Sequence, residues 1–221
     1  MEGSGSVTSR MHAQVHQWEE AGDQRAIFLS CYSIMTGNML EALTSGRFQD
    51  QLWVDRLLHR FADYYDDALT CFDCGDRPTP RVWRQVHEAS SRRPLHVLQH
   101  LLLGMNAHIS RDLAYTVEMA LGEDPASVDT PEDYRRVNEI IADVKTPMLE
   151  AAAERYDPSL ALLDLEAPAL ELPGPIESMT QWRDRSFELG VRLATAASSA
   201  ERASVATEIE RTSTAAAGLL S

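Results

Sequence analysis

The strongest constraint on the fold is a long apolar segment, residues 94–121, in which a polar or small residue recurs at every fourth position. These residues are His96, His100, Gly104, His108 and Asp112. Leucine and other apolar residues fill most positions between them, and a helix that is apolar on all sides is normally buried inside a domain. Residues four apart share a helix face. The segment therefore predicts a long buried central helix within an all-α single-domain bundle.

Apolar residues recur at helical spacing through most of the remaining chain. We expect further helices over about 24–43, 51–71, 80–89 and 177–197, the first three capped at Asp23, Asp50 and Thr79. Another helix should begin near Thr130 and be kinked or restarted at Pro147. No segment has the alternation expected of a strand.

The segments outside these helices define the expected domain limits. We expect one helical domain over residues 7–197, preceded by a flexible N-terminus at residues 1–6. A proline- and leucine-rich strap over 157–175 should lie on apolar surface, because its leucines argue against a free linker. Residues 198–221 offer little to bury, so they should form a loosely held tail, helical or disordered.

Charge and composition exclude several classes of partner. The net charge of −14 argues against binding to nucleic acid or an anionic membrane. No apolar run looks long enough to cross a bilayer, and the N-terminus lacks the apolar core of a signal peptide, so we expect a cytoplasmic protein. The three cysteines, an odd number, should be reduced. A single lysine among many arginines is typical of a bacterial coding bias.

The pair His108 and Asp112 is the leading candidate for chemistry. Both side chains lie one turn apart on one face of an apolar helix, where titratable groups need a partner. They could hold a divalent metal, or act as a general base and its orienting carboxylate. The alternative is a buried structural pair that satisfies itself. Asn106 could position a substrate or satisfy the backbone of a neighbouring helix.

A metal centre would need more ligands than these two residues. His59 and Asp63 repeat the same spacing on the predicted third helix, and His100 continues the central stripe. Facing pairs of this kind are how helical bundles build one- or two-metal centres, here for zinc, iron or manganese. A solvated helix face is the alternative for His59 and Asp63.

Four other residues are candidates for substrate binding. The missing side chain of Gly104 could leave room for a ligand, or allow close helix packing. Arg111 could meet an anionic substrate, or pair with a surface acid. Tyr65 and Tyr115 could donate hydrogen bonds into a pocket, or be core residues with hydrated hydroxyls.

The segment from Gly104 to Leu113, Gly-Met-Asn-Ala-His-Ile-Ser-Arg-Asp-Leu, resembles a bacterial family known as domain of unknown function 5995. The likeness covers most of residues 7–150, including Trp83 and the segment Asp133-Tyr134-x-Arg136-Val-Asn138. The resemblance implies a helical fold and singles out Asn106, His108 and Asp112. A fainter similarity joins Gly104, His108 and Asp112 to the Gly-x-x-x-His-x-x-x-Asp pattern of helical zinc-dependent phospholipase C and nuclease-type enzymes, which would imply a metal.

These features favour an enzyme that acts on a small organic molecule in an interhelical pocket, with natural-product tailoring as one setting. Hydrolysis, elimination and cyclisation all stay open, because the sequence shows no nucleophile. The alternative is a non-catalytic protein that binds a ligand or partner and uses the polar stripe as a buried network. The oligomeric state is open, with a homodimer among the options.

Overall fold

The computed structural model describes residues 4–92, 95–123, 131–162 and 179–220, and in this part of the chain all regular structure is helical. The prediction of an all-α fold is confirmed. The α-helices are α1 (Ser4–Ala21), α2 (Arg25–Thr44), α3 (Gln51–Cys74), α4 (Arg81–Arg92), α5 (Val97–Ala107), α6 (Leu113–Glu123), α7 (Pro131–Arg155), α8 (Met179–Ala194) and α9 (Ser199–Leu220).

Side-chain caps begin several of these helices; the cap at Asp50 was predicted from the sequence, whereas that at His96 was not. Asp50 caps α3, where its Oδ1 accepts a hydrogen bond from the backbone N–H of Trp53 over 2.9 Å. Asp23 accepts from the N–H of Arg25 at the start of α2, one residue before the cap position itself. His96 caps α5, because its Nδ1 accepts from the N–H of Leu98. These contacts satisfy donors that a helix leaves free in its first turn.

The predicted central helix is continuous but not uniform. A π-helical turn, His108–Asp112, joins α5 to α6. It coincides with the second half of the polar stripe, and π-turns of this kind are often found at functional sites. The wider turn begins four residues after Gly104.

The helix α2 lies at the centre of the main core and contacts α1, α3, α5 and α7. We predicted no apolar run long enough to cross a bilayer, and this was wrong for α2, which meets the criteria of length and composition. However, 67% of its most apolar window is buried against the other helices. That burial is what a core helix of a globular domain shows.

The C-terminal helix α9 is not a loose tail, which corrects the sequence prediction. It packs against α4, α5, α8 and the π-turn. Its buried residues follow one face, mostly at every fourth position: Val205, Ile209, Ser213, Ala217 and Leu220. The amide of Gln99 also donates to the backbone carbonyl of Leu220 over 3.0 Å. This buried face and its contacts make α9 part of the same helical body.

Two other expectations concern the second half of the chain. The helix α7 continues through Pro147 without restarting there. The expected cap at Thr130 lies outside the described residues. So does most of the predicted strap, of which the structure describes a short 3-10 turn, Pro158–Leu162.

Candidate functional site

The side chains of His108 and Asp112 face each other at the two ends of the π-turn. The Nδ1 of His108 lies 3.0 Å from Oδ2 of Asp112. Both side chains are buried, and Asp112 has no exposed surface at all. Because a carboxylate only accepts hydrogen bonds, this contact places the proton of a neutral His108 on Nδ1 and leaves Nε2 with its lone pair.

Two further side chains hold the carboxylate of Asp112. The indole N–H of Trp83, from α4, donates to Oδ2 over 2.8 Å. The guanidinium of Arg111 donates from Nη1 to Oδ1 over 2.6 Å and from Nε to Glu210, in α9, over 3.0 Å. Both oxygens are thus occupied by N–H donors. Such charge-assisted bonds offset the cost of burying the carboxylate.

Aromatic rings enclose the imidazole of His108. The ring of Phe61, from α3, stacks on it with centroids 3.6 Å apart, and Tyr32, from α2, presents an edge at 4.5 Å. Burial lowers the pKa of His108 below its usual value, although the nearby Asp112 opposes this. The imidazole is therefore neutral at pH 7, and its buried Nε2 has no hydrogen-bond partner in the described part of the chain.

His108 forms part of the wall of an apolar cavity of about 110 Å³. This cavity is somewhat smaller than the apolar protein cavity of about 150 Å³ that can hold benzene, so its size suits a slender small molecule. Six of the nine α-helices and the π-turn contribute to the wall: Phe28, Cys31, Tyr32, Met35, Thr36, Met39, Val54, Leu57, Leu58, Phe61, Leu101, Met105, His108, Ile109, Leu113, Val137, Ile141, Met148, Met179 and Arg183.

Few polar groups interrupt this wall. The hydroxyls of Tyr32 and Thr36 are buried and make no hydrogen bond of 3.5 Å or less to other described residues. Burial raises the pKa of Tyr32 well above 10, although Thr36 is near enough to moderate the rise. Burial also raises the pKa of the Cys31 thiol to about 12. The wall therefore offers neutral hydroxyls and an unreactive thiol, because the thiolate is the nucleophilic form.

Among the described residues that line this wall, Arg183, from α8, is the one with a charged side chain. Its Nε donates to the amide oxygen of Asn138 over 2.6 Å, and its guanidinium lies 4.8 Å from the ring centre of Tyr134. Only 6% of Arg183 is exposed, and burial lowers its pKa. The sequence analysis missed Arg183, because one arginine on an amphipathic helix gives no local sign of burial.

The residues predicted to form a metal centre do not come together. His59 contacts Asp55 on its own helix, and Asp63 is half exposed beside Arg60. His100 is buried elsewhere, and the carboxylate of Asp112 is already saturated by donors. No group of three or more potential ligands forms among the described residues. The residues predicted for a zinc, iron or manganese centre therefore do not assemble into one within the described part of the chain.

Of the two roles predicted for Asn106, the structure shows the contact expected of the structural one, because its side chain faces α9 and not the cavity. Its amide nitrogen donates to the carbonyl of Ser213 over 2.9 Å, and its oxygen accepts from the hydroxyl of Ser110. Both ends of the amide are satisfied, and the residue has no exposed surface. Asn106 therefore joins the central helices to α9 and does not touch the cavity.

The four predicted substrate-binding residues also have structural contacts. The ring of Phe28 fills the space beside Gly104, where a Cβ atom would lie 2.2 Å from the Phe28 ring carbon Cγ. Arg111 binds acids of the protein itself and covers the ring of Tyr115 at 4.9 Å. Tyr65 packs edge-on against Trp83. None of the four lines the apolar cavity.

Two further buried histidines, His87 and His100, lie near Trp83. His87 stacks on the indole with centroids 5.5 Å apart, and both its ring nitrogens lack partners among the described residues. Both ring nitrogens of His100 also lack partners among these residues. The two line a cavity of about 10 Å³, the size of one water molecule. Burial, followed by the charge of Arg25, lowers the pKa of His87 to about 4.

Fold and site together define an all-α protein with a buried histidine–aspartate pair at the wall of an apolar cavity. The chain belongs to a family of unknown function (DUF5995), whose model matches residues 5–221. This confirms the resemblance drawn from the Gly104–Leu113 motif. The similarity to zinc-dependent phospholipase C and nuclease-type enzymes has no support. No curated protein and no solved structure matches the chain.

Proposed function

We propose that this protein is an enzyme that transfers a proton within a small apolar substrate, with Nε2 of His108 as the general base. One observation carries the proposal. His108 is a neutral imidazole whose Nδ1 is bound to a carboxylate, its Nε2 has no partner among the described residues, and the residue lines a cavity that can hold a small molecule. Structural burial alone leaves Nε2 unexplained, because a buried acceptor without a partner costs about 1–3 kcal/mol.

The carboxylate of Asp112 would act through His108. It fixes the imidazole in the tautomer that presents a lone pair at Nε2, and it stabilises the imidazolium that forms when Nε2 takes a proton. Trp83 and Arg111 hold the carboxylate of Asp112 in place by donating hydrogen bonds to it. In this scheme Asp112 is a positioning residue, because other protein atoms surround both its oxygens.

The buried hydroxyls favour a substrate with a carbonyl or similar acceptor. Tyr32 lies against His108 and stays protonated because burial raises its pKa. A hydroxyl donor and a neutral base in the wall of one cavity are the two groups needed to remove a proton next to a carbonyl group, since the donor stabilises the oxyanion that develops. Elimination and cyclisation both begin with such a step. Hydrolysis is disfavoured, because the wall offers an attacking water few polar partners.

The test follows proton transfer directly. Small ketones, cyclic and aromatic, are incubated with the protein in D₂O, and deuterium incorporation next to the carbonyl is followed by NMR. We expect the wild type to accelerate incorporation for ketones that fit, and His108→Gln to lower that rate about a hundredfold or more. The control His12→Gln removes an exposed histidine of α1 and should leave the rate unchanged.

Two results would contradict the proposal. Equal incorporation with the wild type and with His108→Gln would show that His108 is not the base. Ketones that bind and change the ¹⁵N shift of His108 Nε2, without faster incorporation than in buffer, would show a binding protein instead. That second candidate is supported by the saturated carboxylate of Asp112, which a purely structural or binding role also explains.

A further inference from the structure

Arg183 is a buried charge that forms no salt bridge with a described residue, although the exposed Asp184, its neighbour in sequence, favours its charged form from a distance. Just 6% of the residue is exposed. No carboxylate of the described residues lies within 4.0 Å of its guanidinium. The nearby ion pairs are formed by Arg111 and Arg192 instead. An arginine stays protonated in proteins. Burying an unpaired ion is costly, and buried charges are normally paired.

The partners that Arg183 does have are neutral. Asn138 accepts a single hydrogen bond from Nε, and the two terminal nitrogens, which form the fork of the guanidinium, donate to no other described residue. Tyr134 offers only the face of its ring, and its own hydroxyl is buried without a partner among the described residues. These contacts fix the orientation of Arg183 but do not neutralise its charge.

The position of Arg183 explains why such a charge could be retained. Its side chain belongs to the same cavity wall as His108, and apolar side chains make up nearly all of the wall besides these two residues and the buried hydroxyls. We propose that the ligand of this cavity is a carboxylic acid with a short apolar body, and that its carboxylate binds the guanidinium of Arg183. This inference rests on the proposed function, because it assigns a chemical class to the same ligand.

A carboxylate fits better than other anions. The fork of a guanidinium matches the two oxygens of a carboxylate and binds them with two parallel hydrogen bonds. One arginine also balances a single negative charge. A phosphate group would bring more charge and more acceptor oxygens than one guanidinium and an apolar wall can satisfy.

The first experiment compares two ligands of nearly equal shape with the wild-type protein. Hexanoate and hexanamide share the same hydrocarbon chain but differ in charge. We expect both to bind, measured by calorimetry and by a rise in Tm, with hexanoate about tenfold tighter or more, because hydrogen bonds to a charged partner are the stronger ones. This comparison needs no variant and so does not depend on one folding.

The second experiment uses Arg183→Met, which removes the charge and keeps a long side chain. It should weaken hexanoate binding about tenfold or more and leave hexanamide binding little changed. The matched control is Arg185→Met, in the same helix but exposed, which should leave both affinities unchanged.

Each contrary outcome has a distinct meaning. Equal affinity of the wild type for hexanoate and hexanamide would overturn the carboxylate inference while the cavity remained a ligand site. Hexanoate binding that survives Arg183→Met would overturn it as well. If neither compound binds the wild type, the inference and the proposed binding of a small apolar substrate both fail.

Discussion

The indole of Trp83 donates its N–H to Oδ2 of Asp112 over 2.8 Å, the same carboxylate oxygen that meets the imidazole of His108. The side chains of Trp83 and Asp112 are both completely buried. This bond ties the helix α4 to the π-turn and fixes the oxygen on which the tautomer of His108 depends. The structure offers a way to measure its contribution to stability.

Trp83→Phe should destabilise the protein beyond the effect of the lost volume. It leaves a ring in place but removes the donor, and a hydrogen bond to a charged group contributes about 1.5–3 kcal/mol. The control is Trp53→Phe, because Trp53 is also buried but its indole nitrogen has no partner among the described residues. Urea unfolding should show the larger loss for Trp83→Phe. Equal losses for the two variants would show that the bond to Asp112 adds nothing.

The buried imidazole of His87 should make the protein sensitive to acid. Its pKa is about 4 in the folded protein, set by burial and Arg25 against the opposing charges of Asp73 and Asp23, and near 6.5 when unfolded. The unfolded chain then binds the proton first, so stability is complete above pH 6.5 and falls as the pH drops towards 4, by up to about 3 kcal/mol.

The measurement is the free energy of unfolding at several pH values between 7 and 4.5. His87→Phe keeps a ring next to Trp83 and removes the titration, so its stability should fall less steeply with acid than that of the wild type. His12→Gln, which alters an exposed histidine, should retain the wild-type slope. If His87→Phe loses stability as steeply as the wild type, other groups cause the acid sensitivity.

Gly104→Ala should be destabilising, whereas most glycine-to-alanine changes inside helices stabilise. The new Cβ would lie 2.2 Å from Cγ of Phe28, so one of the two helices must shift, at a typical cost of about 1–3 kcal/mol. Gly37→Ala is the matched control in α2, where nothing lies within 4 Å, and it should raise stability by about 0.5–1 kcal/mol. Thermal unfolding distinguishes the two. A Gly104→Ala protein as stable as Gly37→Ala would show that Phe28 moves aside freely.

Asn106→Leu should separate a structural role from a catalytic one. The change removes the hydrogen bonds to the Ser213 carbonyl and the Ser110 hydroxyl, so a buried carbonyl of α9 loses its partner, and we expect a loss of about 1–3 kcal/mol in urea unfolding. Because Asn106 does not line the cavity, the folded variant should bind hexanoate like the wild type. Full stability with impaired binding would instead place Asn106 in the ligand site.

The pairing of His108 with Asp112 could be predicted because it depends on local geometry alone. Two titratable residues one turn apart in an apolar helix can reach each other wherever that helix lies. The same reasoning failed for His59 and Asp63, since equal spacing does not reveal which face of α3 turns towards the core. Their helix face points outwards, and the facing pairs expected for a metal never form.

The rest of the site depends on contacts between distant parts of the chain. Trp83 and Arg183 come from α4 and α8, and periodicity within a helix cannot show which helix it packs beside. The packing of α9 against the other helices was not predicted, for another reason. Two of its five buried residues, Ser213 and Ala217, are small, and they weaken the hydrophobic pattern although they allow close packing.

The π-turn has a consequence for the register of the chain. Each residue added to a helix rotates everything after it by about 100°, so the wider turn at His108–Asp112 sets the angle at which α6 leaves the site. With that angle, Leu113 and Val117 meet the aromatic residues of α8, while α5 faces the main core. Deleting one residue from the turn would aim α6 at the wrong neighbours, so insertions and deletions should be tolerated far less here than substitutions.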